Sequence, residues 1–72
     1  RDIITKTGNI IRPDRLAIKD NEAVIIDYKT GLSNPKYQQQ LEEYSDILKE
    51  MNFTVKKKIL IYVNDTIKIV TY

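Results

Sequence analysis

The sequence predicts an α/β fold of the α+β kind: a mixed sheet in the order βββαββ with one main helix over about 35–52. Three observations carry this. Short apolar runs rich in β-branched residues (Ile3-Ile4, Ile10-Ile11, Val24-Ile25-Ile26, Ile59-Leu60-Ile61) are separated by turn residues, as strands are. Tyr37, Leu41, Tyr44, Leu48 and Met51 recur at spacings of four, three, four and three, which draws one apolar stripe down a helix. The segment from Lys29 to Phe53 is long enough for a right-handed β-α-β crossover, so the strands on either side of the helix are expected to be parallel.

Length bounds the rest. At 72 residues the chain is a single thin domain, of a size that buries only about 60% of its unfolded surface. It has no cysteine and no histidine, which excludes disulfides and a structural zinc site. Absence of cysteine fits a reducing compartment. No apolar run approaches the ~20 residues of a membrane span, and no signal peptide is recognisable. A net charge of +2 is too small to argue for nucleic acid by itself. Lys56-Lys57-Lys58 is the one cationic run, readable as a solvated strand edge or as a phosphate-contacting patch on an RNA-binding scaffold. The chain starts at Arg1 and stops inside a strand-like run, so a piece of a longer protein is expected.

Taken in order, 1–5 reads as a strand, Lys6-Thr7-Gly8-Asn9 as a turn and Ile10-Ile11-Arg12 as the returning strand of a hairpin. Pro13 cannot donate to a ladder and disfavours helix before it, marking a sheet edge or bulge. Arg15 to Ile18 is again extended, 19–22 is a polar turn, and Ala23 to Lys29 is the central strand, completing a three-stranded antiparallel meander. Its continuous Val24-Ile25-Ile26 is the pattern of a strand covered on both faces. After the loop at 30–34, Asn34 or Ser33 is positioned as N-cap and Pro35 as the first helical residue. Phe53 to Val63 is a strand, Asn64-Asp65 a two-residue turn, and Thr66 to Tyr72 a final strand. One helix leaves the far face of such a sheet bare, which again points to missing chain.

The central strand carries the candidate chemistry. Alternate side chains share a face of a strand, so Asp27 and Lys29 point the same way, about 6–7 Å apart along the backbone, and Tyr28 points oppositely. A charged pair beside an apolar run needs compensation from a partner or an ion. Asp14 precedes Asp27 by thirteen positions across a meander turn, and neighbouring strands lie about 4.8 Å apart. Two carboxylates so placed can share Mg²⁺, which takes one or two carboxylates and fills its octahedron with water and phosphate oxygens. Lys29 would sit beside it. The same spacing equally allows a plain turn aspartate after Pro13 and an ordinary strand-end ion pair.

At these residues the sequence resembles a known family. Pro13-Asp14 followed by Asp27-Tyr28-Lys29 fits the PD-(D/E)xK nuclease pattern. The fuller run, Ile11-Arg12-Pro13-Asp14-Arg15-Leu16 and then Ile25 to Gly31, is similar to the C-terminal nuclease domain of RecB/AddA-type, UvrD-like helicase-nucleases. That branch carries a QxxxY arrangement on the next helix, supplied here by Gln40 and Tyr44. The resemblance implies a restriction-endonuclease-like core over 1–72, at the C-terminal end of a longer chain. It implies a Mg²⁺-dependent (or Mn²⁺-dependent) DNA exonuclease working in ATP-dependent double-strand-break repair in the bacterial cytoplasm. Its partners would be DNA, the helicase domain of the same chain and a second helicase-nuclease subunit, with no membrane.

Carried over by position, Asp14, Asp27 and the Tyr28 carbonyl are the implied metal ligands. Lys29 is the implied catalytic lysine, and Gln40 and Tyr44 are implied to support the site or touch the DNA. Gln40 also lies at the margin of the apolar stripe, where an amide needs a partner. The chain departs from the family in lacking the upstream histidine ligand and the cluster cysteines of some relatives. The competing expectation is a nuclease-fold module that binds DNA or a partner subunit without cutting.

Overall fold

The structure is a computed structural model that describes residues 3–4, 10–11 and 13–72. Its order is β1 (Ile3–Ile4), β2 (Ile10–Ile11), β3 (Arg15–Lys19), β4 (Glu22–Lys29), α1 (Pro35–Glu50), β5 (Thr54–Val63) and β6 (Ile67–Thr71). It is an α+β domain in which one helix packs on a mixed four-stranded sheet ordered β3-β4-β5-β6. As the crossover implies, β4 and β5 are parallel, and antiparallel β3 and β6 flank them.

The three-stranded meander is corrected. β1 and β2 pair antiparallel as a separate two-stranded sheet, and β3 begins a new one, so four strands precede the helix among the described residues. Pro13 is the break: its side chain is fully buried and it has no N–H with which to continue a ladder. The turn expected at Lys6 to Asn9 lies outside the described residues. The turn before β4 is only Asp20-Asn21, with Asp20 at φ 56°.

The helix begins as its sequence dictates. The Asn34 side chain accepts a hydrogen bond from the Lys36 amide at 2.9 Å, and Pro35 occupies the first turn, where no N–H is needed. It ends two residues before the expected limit, in a Schellman turn. Asn52 takes φ 68°, the Phe53 amide donates to the Leu48 carbonyl at 3.0 Å, and the Asn52 amide donates to that of Lys49. Met51 is thereby the cap rather than the last residue of the stripe, and it is exposed. Leu41 and Leu48 are buried against Leu16, Ala23, Ile25, Leu60 and Tyr62 of the sheet, with Tyr37, Tyr44 and Ile47 packed around them.

Among the described residues β4 is covered fully on one face only. Ala23, Ile25 and Asp27 are buried towards α1, while Val24 and Ile26 on the other face are only half-buried. The far face continues as Tyr28, Val63, Ile67 and Ile69, all exposed. β5 keeps in step with β4 through a bulge: Ala23 is opposite Val55 but Val24 is opposite Lys57, leaving Lys56 as the extra residue. That one-residue shift turns Lys58, Leu60 and Tyr62 towards the helix. The hairpin between β5 and β6 has three loop residues, Asn64 to Thr66, rather than two.

Ser45 is the weak point in the core. It is fully buried on α1, and its hydroxyl has no hydrogen-bond partner among the described residues. An orphaned buried hydroxyl costs about 1–3 kcal/mol, so Ser45→Ala should raise stability by roughly 1 kcal/mol in urea unfolding. A loss of stability would mean that the hydroxyl is paired.

Candidate functional site

The candidate site lies at the carboxyl end of β4, on the face covered by α1. Alternation along β4 sends Asp27 and Lys29 to that face with Ala23 and Ile25, and sends Tyr28 to the far face. Asp27 is 3% exposed, a carboxylate inside the core. Such a group requires hydrogen bonds to offset its lost hydration. One comes from the backbone of Asp14, whose amide donates to Asp27 Oδ1 at 2.9 Å. Asp14 returns the contact, because its Oδ2 accepts from the Tyr28 amide at 2.8 Å. Asp27 therefore grips the backbone of Asp14 itself, just before β3, and Asp14 grips the backbone next to Asp27, near the end of β4.

Tyr44 brings the helix into the same place. Burial, and then the negative charges of Asp27 and Asp14 with a smaller push from Glu43, raise its phenol pKa above the ordinary value. Tyr44 thus stays protonated and able to donate across the neutral pH range. One helical turn earlier, Gln40 Oε1 accepts from Lys29 Nζ at 3.1 Å. This is the partner that an amide at the stripe margin requires. Of the residues singled out as catalytic, Asp14 and Asp27 are thus joined through backbone hydrogen bonds at the end of β4, Lys29 and Gln40 are joined by a hydrogen bond, and Tyr44 feels the charge of both carboxylates.

The Asp pair is a fair fit to a hard divalent cation. Among the described residues no group of three or more His, Cys, Asp or Glu side chains gathers as a ligand set. Two aspartates are within the one or two carboxylates that Mg²⁺ ordinarily takes from a protein. Tyr28, the implied third ligand, can contribute only its backbone carbonyl, since its side chain is exposed on the far face.

Two further residues near the site were not singled out from the sequence. The Tyr37 ring lies under the Lys29 ammonium, 4.8 Å from centroid to Nζ. Its position three residues before Gln40 was the available signal, because residues three apart are neighbours on a helix surface. Asn64, in the β5–β6 loop, accepts from the Gly31 amide at 2.8 Å and donates to the Gly31 carbonyl at 3.0 Å. Gly31 has φ +84°, which a side chain would strain. This two-point clamp holds the loop that leads from Lys29 into α1, and nothing in the local sequence distinguishes it from a turn asparagine.

The lysine run is distributed between partners. Lys56 meets Glu22 at 3.0 Å and Lys58 meets Glu42 on α1 at 2.7 Å, so two of its three charges are in ion pairs within the domain. No described helix is long and apolar enough to cross a membrane. A scan against protein-family models finds no match to the chain, and a search of curated proteins finds none either.

Proposed function

We propose that this chain is the nuclease module of a metal-dependent DNA-cleaving enzyme with a restriction-endonuclease-like core. The carrying observation is the pair of aspartates joined through each other's backbone at the end of β4, with Lys29, two residues beyond Asp27 on the same face, tied to Gln40. The PD…DxK and QxxxY elements at these same positions add to it.

In this reading Asp14 and Asp27 hold Mg²⁺ or Mn²⁺, with the Tyr28 carbonyl as a further ligand. A divalent cation, when bound, neutralises phosphate charge and makes water more acidic. Lys29 brings its ammonium to the phosphodiester, where negative charge grows as water adds and the sugar oxygen leaves. Gln40 fixes the direction of that ammonium, and Tyr44 offers a neutral hydroxyl to the carboxylates or the DNA. No side chain becomes covalently attached to the substrate. Exonucleolytic action beside a helicase domain and a partner subunit in double-strand-break repair, in a bacterial cytoplasm, is the setting that the motif resemblance supports.

The test is hydrolysis of end-labelled DNA in Mg²⁺ with and without a chelator. Cleavage that stops on chelation and is lost in Asp14→Asn is the expected result. Cleavage indifferent to the chelator would contradict the reading. DNA binding without cleavage would favour a nuclease-fold binding module, to which a site of only two carboxylate side chains is also suited.

A further inference from the structure

We infer that Tyr37 is a positioning residue for Lys29, holding its ammonium at the junction of two clefts so that it meets an incoming phosphate in a single orientation. This role rests on the reading of Lys29 as the group that faces the phosphodiester.

A lysine ammonium on a four-carbon stem is free to sweep a wide volume, and a charge meant to stabilise one oxygen must be kept from doing so. Lys29 is restrained on two sides. Gln40 Oε1 accepts from Nζ at 3.1 Å, and the Tyr37 ring faces Nζ at 4.8 Å, within the range at which a ring's negative face attracts a cation. Tyr37 and Gln40 are neighbours on α1, so a single helix surface supplies both restraints. The ring is itself backed: Tyr62 lies 6.3 Å away, tilted by 48°, and it is buried on β5 directly opposite Lys29 in the parallel ladder. Support therefore runs from a fixed aromatic of the sheet through Tyr37 to the ammonium.

The surroundings give the restraint a purpose. Lys29 and Tyr37 line both a cleft of about 440 Å³, shared with Lys36, Gln39, Gln40 and Glu43, and a second of about 300 Å³, shared with Tyr28, Thr30 and Val63. Tyr37 and Lys29 are the residues common to the two, with the ammonium over the face of the ring. A polynucleotide strand lying across both clefts would pass its phosphate over Lys29. A ring at this position suffices for the role, and the phenol oxygen is not required.

The test combines NMR with kinetics on wild type, Tyr37→Phe and Tyr37→Leu. In wild type the Lys29 Hε protons should show nuclear Overhauser contacts to the Tyr37 ring and an upfield ring-current shift. Both features should persist in Tyr37→Phe, and the shift should vanish in Tyr37→Leu while the amide spectrum stays native. Hydrolysis by Tyr37→Leu should lose about 3- to 30-fold in kcat, the scale of one cation–π contact, with KM changed less than about twofold, and Tyr37→Phe should restore it. An unshifted Lys29 in wild type, or a kcat in Tyr37→Leu equal to wild type, overturns the inference. If Tyr37→Leu does not fold, the wild-type shift and contacts decide. Wild type that hydrolyses no DNA refutes the functional reading, whereas the Lys29 signals still judge the positioning separately.

Discussion

Lys29→Ala should lower DNA hydrolysis by about 10²- to 10³-fold, the usual effect of removing one preorganised group aimed at developing charge. Asp27→Asn should go further and leave no detectable cleavage, because the amide oxygen is a poor substitute for a carboxylate on a divalent cation. The asparagine retains an oxygen for the Asp14 amide, so the hydrogen bond that now ends on Oδ1 can survive the change. Neither variant should unfold the domain. Asp27→Asn removes a charge from a nearly closed environment beside a second carboxylate, and its melting temperature should equal or exceed that of wild type. Lost hydrolysis with retained stability marks a group kept for chemistry. Cleavage that survives both substitutions would refute the assignment of these residues.

The largest effect on stability is expected at Leu60. It is fully buried in β5, opposite Asp27 on one side and Val70 on the other, and it faces the helix. Leucine-to-alanine truncation in such a setting costs about 2–5 kcal/mol through lost burial and the cavity left behind. A domain of 72 residues has a total stability of only about 4–11 kcal/mol at ordinary per-residue values. Leu60→Ala should therefore lower the urea midpoint steeply and leave a substantial unfolded fraction. Ile69 is the control: it is 63% exposed on the far face, and Ile69→Ala should cost under about 1 kcal/mol. The opposite ranking would mean that the far face, not the helix-covered face, holds the core.

These effects separate what local sequence encodes from what it does not. The helix was legible because its signals are local: Asn34 and Pro35 start it, and the stripe through Leu41 and Leu48 faces the sheet. The common face of Asp27 and Lys29 follows from strand alternation alone. The parallel pairing of β4 and β5 follows from the length of the crossover. Other features depend on contacts between distant residues. Pro13 reads as a sheet edge or a bulge, and it does precede β3, an edge strand of the four-stranded sheet, yet its burial depends on what packs over it. The bulge at Lys56 shifts the phase of β5 in the middle of a run of like residues, where period-2 patterning carries no mark. The clamp of Asn64 on Gly31 joins loops 33 positions apart, and either residue alone is ordinary turn material. Tyr37 was hidden by its own usefulness as an apolar stripe residue, since a ring that packs on Tyr62 and faces Lys29 looks in sequence like core.

The most direct measurement is a titration of the wild-type chain and its Asp14→Asn and Asp27→Asn variants with Mn²⁺, followed by electron paramagnetic resonance. One saturable site in wild type, weakened strongly by either substitution and competed by Mg²⁺, is the predicted result. Equal Mn²⁺ binding in all three proteins, or none in wild type, would contradict a cation shared by these two aspartates.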